Sequence, residues 1–444
     1  MSDELRKLVK QSLNGENDTF CAAPFFHMYV HSAELPKACC AYRPREYYSW
    51  EDKKNYIESG NRNLESEWNN LYYRTVRKEL LQGKKHNGCE TCWKTESHGG
   101  ISDRFVHNKR LSKYLKQNPD VEISLDIKTG SSLKGPMNLD LRAGNLCNLQ
   151  CRMCGPGSSS QINKEWSKFP KDWGFPRFDS RQLKTWDSEE NLNFILREIP
   201  KDKIGSIKFL GGEPTLMPEV HKIMDKLIKN GMEDVELFFT SNMTNNNKKF
   251  LEQMSRFNNV KIAISADGIG KVLEYIRHPI NWNSFTENVS RYTEIPGIQK
   301  DLDIQYTLQA YNIRNILPTL LWIDNFNETI GKKNSKMIVF SPEILHHPLE
   351  VSYRALPKVY RDHHIEKCLS HPIMKKDFVI KYGKTVEKLE IMLNDKIEDD
   401  PTGFINHTVM LDISRNQHLK DYIPDIYNLY SDLYDKARQE RENG

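Results

Sequence analysis

The sequence predicts an α/β protein built around a parallel β-sheet. From Met137 onward, short apolar runs that are typical of buried strands alternate with stretches whose apolar residues recur at helical spacing. The chain has 444 residues, of which 38% are hydrophobic, so it can form about two or three domains with substantial cores.

The alternation gives six strands and several helices in a fixed order. The predicted strands are 137–141, 206–210, 235–240, 260–265, 303–308 and 337–340. The clearest helices between them are predicted at 218–230, 247–256 and 284–292. Residues 170–186 form a Trp-, Phe- and Pro-rich insertion, which we expect to be a surface excursion with no assigned role.

A polar stretch that ends at residues 130–136 predicts a domain boundary near residue 135. We therefore expect three parts: a small N-terminal domain at 1–135, the α/β core at 136–345 and a helical extension at 346–444. Helices packed on the core are the simplest interpretation of the extension, with a lid or substrate-binding appendage as the alternative.

The composition narrows the class of protein. With 64 basic and 60 acidic residues, the net charge of +4 is too small to indicate nucleic acid or a membrane surface. No apolar run approaches the ~18 residues that a membrane span needs, and the N-terminus lacks a signal-peptide pattern. We therefore expect a cytoplasmic protein, in which the presence of nine cysteines indicates metal binding rather than disulfides.

Three cysteines, Cys147, Cys151 and Cys154, have the spacing C-x3-C-x2-C. Three thiolates can hold three irons of a [4Fe-4S] cluster and leave the fourth iron open to a substrate or cofactor. A zinc loop or three buried thiols are the alternatives, although zinc sites usually have a second cysteine pair or histidines nearby.

The spacing resembles the radical S-adenosylmethionine (SAM) superfamily. The resemblance implies a partial (β/α)6 TIM-type barrel, with the chemistry at the carboxyl ends of the strands. It also implies a SAM site made of residues that follow successive strands: Met153, Gly211, Gly212, Glu213, Pro214, Ser241, Asn242, Ser265, Asp267, Arg277, Thr307 and Gln309.

Each match carries an expected role. Gly211-Gly212-Glu213-Pro214 resembles the motif that binds the SAM amino group, and Ser265 with Asp267 resembles a ribose-binding motif. Met153 is expected to pack on adenine, and Arg277, Ser241 and Asn242 are expected near the SAM carboxylate. Thr307 and Gln309 are expected to face the cavity, and 339–341 to offer backbone contacts to adenine. A turn cap is an equally good interpretation of Ser241 or Asn242 taken alone.

A second cysteine group lies in the N-terminal segment, where Cys21, Cys39, Cys89 and Cys92 resemble the ligands of a twitch or SPASM-like domain. Such a domain implies an auxiliary [4Fe-4S] cluster, with a β-hairpin that brings the first two ligands together. Here the domain precedes the barrel instead of following it. Cys40 could replace Cys39, and a four-cysteine zinc site remains an alternative.

The resemblance implies reductive cleavage of SAM to a 5′-deoxyadenosyl radical, which abstracts a hydrogen atom from a substrate. A flavodoxin or ferredoxin-type protein would donate the electron, and the closed auxiliary cluster would conduct electrons. The substrate would be a peptide or protein, or a small molecule oxidised like a sugar or cyclitol. The alternatives are a structural zinc protein without catalysis and a nucleic-acid-modifying radical enzyme, the latter disfavoured by the charge.

Overall fold

The computed structural model describes residues 2–31, 36–43, 64–97, 102–119, 123, 125–132, 135–176, 204–381 and 384–443. Seven strands follow one another in chain order in one sheet, and β1–β2, β2–β3, β5–β6 and β6–β7 pair in parallel. They are β1 His27–His31, β2 Asn138–Arg142, β3 Ser206–Leu210, β4 Glu236–Ser241, β5 Val260–Ser265, β6 Asp301–Leu308 and β7 Met337–Ile344. This confirms an α/β fold with a parallel sheet, consistent with a partial TIM-type barrel.

Helices precede, connect and follow the strands. They are α1 Ser2–Leu13, α2 Ala23–Phe26, α3 Leu64–Trp68, α4 Leu71–Leu81, α5 Glu90–Ser97, α6 Asp103–Gln117, α7 Ser160–Trp166, α8 Pro218–Lys229, α9 Lys248–Ser255, α10 Gly270–Ile276, α11 Trp282–Thr293, α12 Ile316–Phe326, α13 Lys332–Asn334, α14 Lys358–Leu369, α15 Asp377–Ile380, α16 Thr385–Asn394, α17 Pro401–Arg415, α18 Leu419–Tyr422, α19 Pro424–Leu429 and α20 Ser431–Glu442.

The six predicted strands are all present, most within two residues of the expected bounds. Strand β7 is longer than predicted and continues to Ile344, so residues 339–341 lie inside the strand and not at its end. Strand β1 was not predicted. Its sequence, His-Met-Tyr-Val-His, is only five residues long and polar at both ends, which gives no clear strand period.

The chain packs into two compact units. Unit 1 contains the described residues within 1–144, 181–210 and 218–237. It includes β1, β2 and β3, paired in register from His27 opposite Asn138 and Asn138 opposite Ser206. The predicted boundary near residue 135 stays a prediction.

Unit 2 contains residues 145–180, 211–217 and 238–444. Within it, the apolar residues of β6 are buried on one face, whereas Asp303, Gln305 and Thr307 alternate with them and are half-buried. Among the residues described after β7, regular structure is helical.

Helix α17 and helix α7 share a small core in unit 2, formed by Ile162, Trp166, Phe169 and Leu411. Trp173 and Phe175, from the predicted insertion, pack against this core, and residues 177–186 of the insertion lie outside the described part. No helix in the described part of the chain is long and apolar enough to cross a membrane.

Candidate functional site

The three cysteines of the C-x3-C-x2-C motif lie on one loop of unit 2, between Asn145 and helix α7. Cys147 and Cys151 are buried and Cys154 is partly exposed. The Cys154 N–H donates to the Cys151 carbonyl oxygen at 3.0 Å. The Ser159 hydroxyl, which caps α7, donates to the Leu149 carbonyl oxygen at 2.6 Å. These local bonds fold the loop back on itself and keep the three thiols in one short segment.

Burial favours the protonated form of the Cys147 and Cys151 thiols. Burial raises the pKa of Cys147 to about 11, and burial also raises the pKa of Cys151. Repulsion by the neighbouring thiols raises both pKa values further. Among the residues that the structure describes, no three His, Cys, Asp or Glu side chains are arranged to hold a single metal ion.

Nitrogen donors surround the loop sulfurs. The Leu149 N–H lies 3.5 Å from Cys147 Sγ, and Asn242 Nδ2 lies 3.9 Å from the same atom. Arg277 Nη1 lies 3.8 Å from Cys151 Sγ. Such N–H···S contacts favour the thiolate form and tune the reduction potential of a bound iron–sulfur cluster.

The Gly-Gly-Glu-Pro segment packs directly against the beginning of this loop. The Glu213 N–H donates to the Leu146 carbonyl oxygen at 2.7 Å. A Cβ atom on Gly212 would lie 2.2 Å from that oxygen and 2.6 Å from the carbonyl oxygen of Asn145, so only glycine fits there. Gly211 has φ of 132°, which also favours glycine.

The Glu213 carboxylate is only 1% exposed and is already bound by protein donors. Oε1 accepts from the Ser241 hydroxyl at 2.9 Å and from the Thr215 hydroxyl at 2.6 Å, and Oε2 accepts from the Asn242 N–H at 2.6 Å. Burial raises the pKa of Glu213, although these hydrogen bonds counteract it. Glu213 therefore links its own loop to the end of β4, a role that the sequence analysis missed. Its expected contact with the SAM amino group stays a prediction.

The residues after β5 and β6 form a second buried cluster. Asp267 is fully buried and pairs with Arg277, whose Nε lies 2.7 Å from Asp267 Oδ2. The Thr307 N–H donates to Asp267 Oδ1 at 2.7 Å. The Asn312 side-chain amide donates to the carbonyl oxygens of Asp267 and Thr307 at 3.1 and 2.8 Å.

This cluster explains the charge state of the arginine. Burial alone would lower the pKa of Arg277, but the attraction of Asp267 and of the Cys151 sulfur raises it, so the guanidinium stays charged beside the loop. Asp267, predicted to bind ribose, thus orients Arg277 in this structure.

The remaining predicted SAM-site residues lie on the cysteine loop, at the end of β5, after β6 and in a short turn. Ser265 ends β5 and is half-buried, and Met153 is partly exposed on the cysteine loop. Gln309 is fully buried, and its side-chain amide donates to the Thr307 carbonyl oxygen at 3.4 Å. Pro214 begins a short 3-10 turn behind the glycines. Their expected contacts with SAM stay predictions.

The second cysteine group surrounds one cavity in unit 1. The cavity lining includes Cys21, Cys39, Cys89 and Cys92. The space between these side chains is about 320 Å³, part of it open to solvent. Cys40 is exposed and is not among the lining residues. The structure therefore brings together the four cysteines that the sequence analysis selected.

Local structure explains this arrangement. An antiparallel bridge between Tyr29 and Lys37 turns the chain back, and the two residues exchange backbone hydrogen bonds of 2.8 and 2.9 Å. Cys39 follows this bridge directly, while Cys89 and Cys92 lie at the start of α5. Burial raises the pKa of all four thiols, and neighbouring sulfurs raise those of Cys21, Cys39 and Cys89 further.

Residues 141–297 match the family model of the Radical SAM superfamily. This stretch is therefore similar to a radical SAM domain, and the match supports an enzyme with SAM-dependent radical chemistry. The cysteine loop, the Gly-Gly-Glu-Pro segment and the Asp267–Arg277 pair all lie within the matched residues. No curated protein sequence matches the chain.

Several solved structures are similar to part of this chain. Native anSMEcpe with bound AdoMet is 16% identical, with 53% of this chain and 59% of that chain covered and a TM-score of 0.35. SuiB of Streptococcus suis bound to S-adenosylmethionine is 12% identical, with 69% and 63% covered and a TM-score of 0.34. The chain thus spans less than two thirds of the length of either protein.

Proposed function

We propose that this chain is a radical SAM enzyme that holds a [4Fe-4S] cluster on Cys147, Cys151 and Cys154 and abstracts a hydrogen atom from its substrate. The observation that carries the proposal is the set of N–H donors aimed at the sulfurs of Cys147 and Cys151. Asn242 follows β4 and Arg277 follows α10, so separate elements direct donors to one short loop. Buried thiols with such donors fit an iron–sulfur cluster, which needs thiolates in a low-dielectric site.

A cluster held by Cys147, Cys151 and Cys154 would supply the electron for reductive cleavage of SAM to methionine and a 5′-deoxyadenosyl radical. The protein's own residues hold the cysteine loop and orient SAM. The packed contact between Gly212 and Leu146 fixes the start of the loop, and the buried Glu213 fixes the end of β4 against it. Arg277, held by Asp267, offers a fixed cation for the SAM carboxylate. Burial of these groups keeps water away from a reactive radical.

The four cysteines of unit 1 support an auxiliary [4Fe-4S] cluster in our proposal. Four thiolates would leave no open iron, so the site would conduct electrons or support structure instead of binding substrate. A flavodoxin or ferredoxin-type protein in the reducing cytoplasm is the proposed electron donor. A structural zinc site at these cysteines is the alternative, and metal analysis distinguishes the two.

The polar face of β6 supports a small hydroxylated substrate, such as a sugar or cyclitol. Asp303, Gln305 and Thr307 are half-buried in unit 2, and Gln305 Nε2 donates to Asp303 Oδ2 at 2.5 Å. Burial raises the pKa of Asp303 above its ordinary value. Carboxylate, amide and hydroxyl groups in a row are suited to hydroxyl partners. A peptide or protein substrate is the other possibility.

Two measurements test the proposal. Anaerobic reconstitution should give about eight irons per chain, and about four would remove the auxiliary cluster. Under reductant, the protein should form 5′-deoxyadenosine from SAM, and the Cys147→Ala, Cys151→Ala, Cys154→Ala triple variant should form none. Turnover in the triple variant would refute the radical mechanism. Deuterium transfer from labelled sugars, cyclitols or peptides into 5′-deoxyadenosine identifies the substrate class.

A further inference from the structure

Arg152, which lies between two predicted cluster ligands, is held through its backbone and its side chain at once. Its N–H donates to the Ile276 carbonyl oxygen at 2.8 Å. Its own carbonyl oxygen accepts a hydrogen bond from His407 Nε2 at 3.1 Å. The side chain is fully buried. The backbone N–H, the carbonyl oxygen and the side chain of Arg152 are therefore all held by contacts with other parts of unit 2.

The guanidinium of Arg152 is part of a buried network. Nη2 donates to Asp412 Oδ1 and, at 2.9 Å, to Gln417 Oε1, while Nε donates to the Tyr275 carbonyl oxygen at 2.9 Å. The group also lies 3.5 Å from the centre of the Tyr275 ring. The Asp412 carboxylate accepts hydrogen bonds from the Tyr275 hydroxyl at 2.8 and 2.9 Å and from the Tyr434 hydroxyl at 2.6 Å.

Helix α17 supplies two of the partners, since His407 and Asp412 both lie on it. Burial lowers the pKa of His407 to about 4, so its ring is neutral at neutral pH. Because a carbonyl oxygen can only accept, Nε2 must carry the proton in that ring. Helix α17 therefore contacts Arg152 twice. Asp412 places an anion beside the Arg152 side chain, and His407 donates a hydrogen bond to the Arg152 carbonyl oxygen.

We propose that helix α17 is part of the cluster-binding apparatus, with Asp412 and His407 as positioning residues. They hold Arg152, and through it the backbone that carries Cys151 and Cys154, in the geometry that the thiolates need. The inference rests on the proposed function, because it requires a cluster on these cysteines. It gives the C-terminal extension a defined task at the site, in place of general packing or a lid.

The first test uses Asp412→Asn, which keeps the shape of the side chain and removes its charge. The matched control is Glu165→Gln. It breaks another buried ion pair of α17, in which Arg415 Nη2 lies 2.8 Å from Glu165 Oε2, and leaves Arg152 untouched. The measurement is the rate at which a chelator removes the SAM-responsive electron paramagnetic resonance signal of the reduced, reconstituted protein. Thermal midpoints are recorded for each variant.

We expect Asp412→Asn to lose this signal about 10- to 100-fold faster than the wild type, as second-shell changes at metal sites do. The control should match the wild type in this rate even where its thermal midpoint falls. Equal rates in the two variants would overturn the inference. A wild type without any SAM-responsive signal would instead overturn the proposed function.

A second pair of variants decides the matter if Asp412→Asn does not fold. His407→Gln keeps an N–H donor for the Arg152 carbonyl oxygen, whereas His407→Leu removes it. We expect the leucine variant to lose the signal faster and the glutamine variant to stay near the wild type. Equal behaviour of the two would show that the donor does not position the loop.

Discussion

Replacing Gly212 by alanine should disable the proposed SAM site while leaving most of the fold intact. The added Cβ would lie 2.2 Å from the Leu146 carbonyl oxygen and 2.6 Å from that of Asn145. A carbon–oxygen contact needs about 3.3 Å, so the loop would have to move by about 1 Å. Both obstacles are backbone atoms that directly precede Cys147, and no side chain can rotate away to make room.

A displacement of about 1 Å at a reacting site costs about 100-fold in rate. We therefore expect Gly212→Ala to form 5′-deoxyadenosine about 100-fold more slowly than the wild type, measured by chromatography with excess reductant and saturating SAM. Gly155→Ala is the matched control, because it lies on the same loop and its Cβ would meet nothing within 4 Å. A Gly212→Ala rate equal to that of the control would refute the close packing inferred here.

Three further predictions concern the rest of the chain. Cys39→Ala should lower the iron of the reconstituted protein from about eight to about four per chain, and Cys40→Ala should not, because only Cys39 lines the cavity; equal losses would contradict this. Burial lowers the pKa of His407 to about 4, so the unfolded chain binds this proton more readily and stability should fall as pH drops from about 6.5 to 4. The loss of unfolding free energy attributable to His407 is about 3 kcal/mol. His407→Gln should therefore flatten the pH dependence of the unfolding free energy measured in urea. An unchanged pH dependence would assign the loss to other groups. Gly297→Ala would place a Cβ 1.8 Å from a backbone oxygen and should lower the free energy of unfolding by about 2 kcal/mol or more, measured by thermal unfolding. Gly403→Ala, whose Cβ would meet nothing within 4 Å, should instead stabilise helix α17. A Gly297→Ala variant as stable as the wild type would contradict the close packing at this position.

Local patterns were enough to predict most of the sheet. Strands such as β3 and β5 are short apolar runs between turn residues, and their bounds agree with the prediction. The cysteine loop and the Gly-Gly-Glu-Pro segment were found because their spacing is itself the signal. In both cases the residues that define the feature are neighbours in sequence.

Features that depend on distant partners were not predictable in this way. Asp412 is 260 residues from Arg152, and neither residue belongs to a spacing motif. The motif predicts that Glu213 meets a ligand, but no local pattern indicates that Ser241 and Asn242 bind its carboxylate. Strand β1 likewise depends on pairing with β2, more than 100 residues later.

The contact between Arg152 and helix α17 has a consequence for how the protein matures in the cell. While the chain is being synthesised, residues 147–154 leave the ribosome long before Asp412 does. Until helix α17 emerges, the Arg152 guanidinium lacks the Asp412 carboxylate, and the cysteine loop lacks the hydrogen bond that His407 donates. Iron–sulfur delivery to this loop is therefore expected to follow translation of the C-terminal helices, and a nascent chain arrested before residue 400 should accept no stable cofactor.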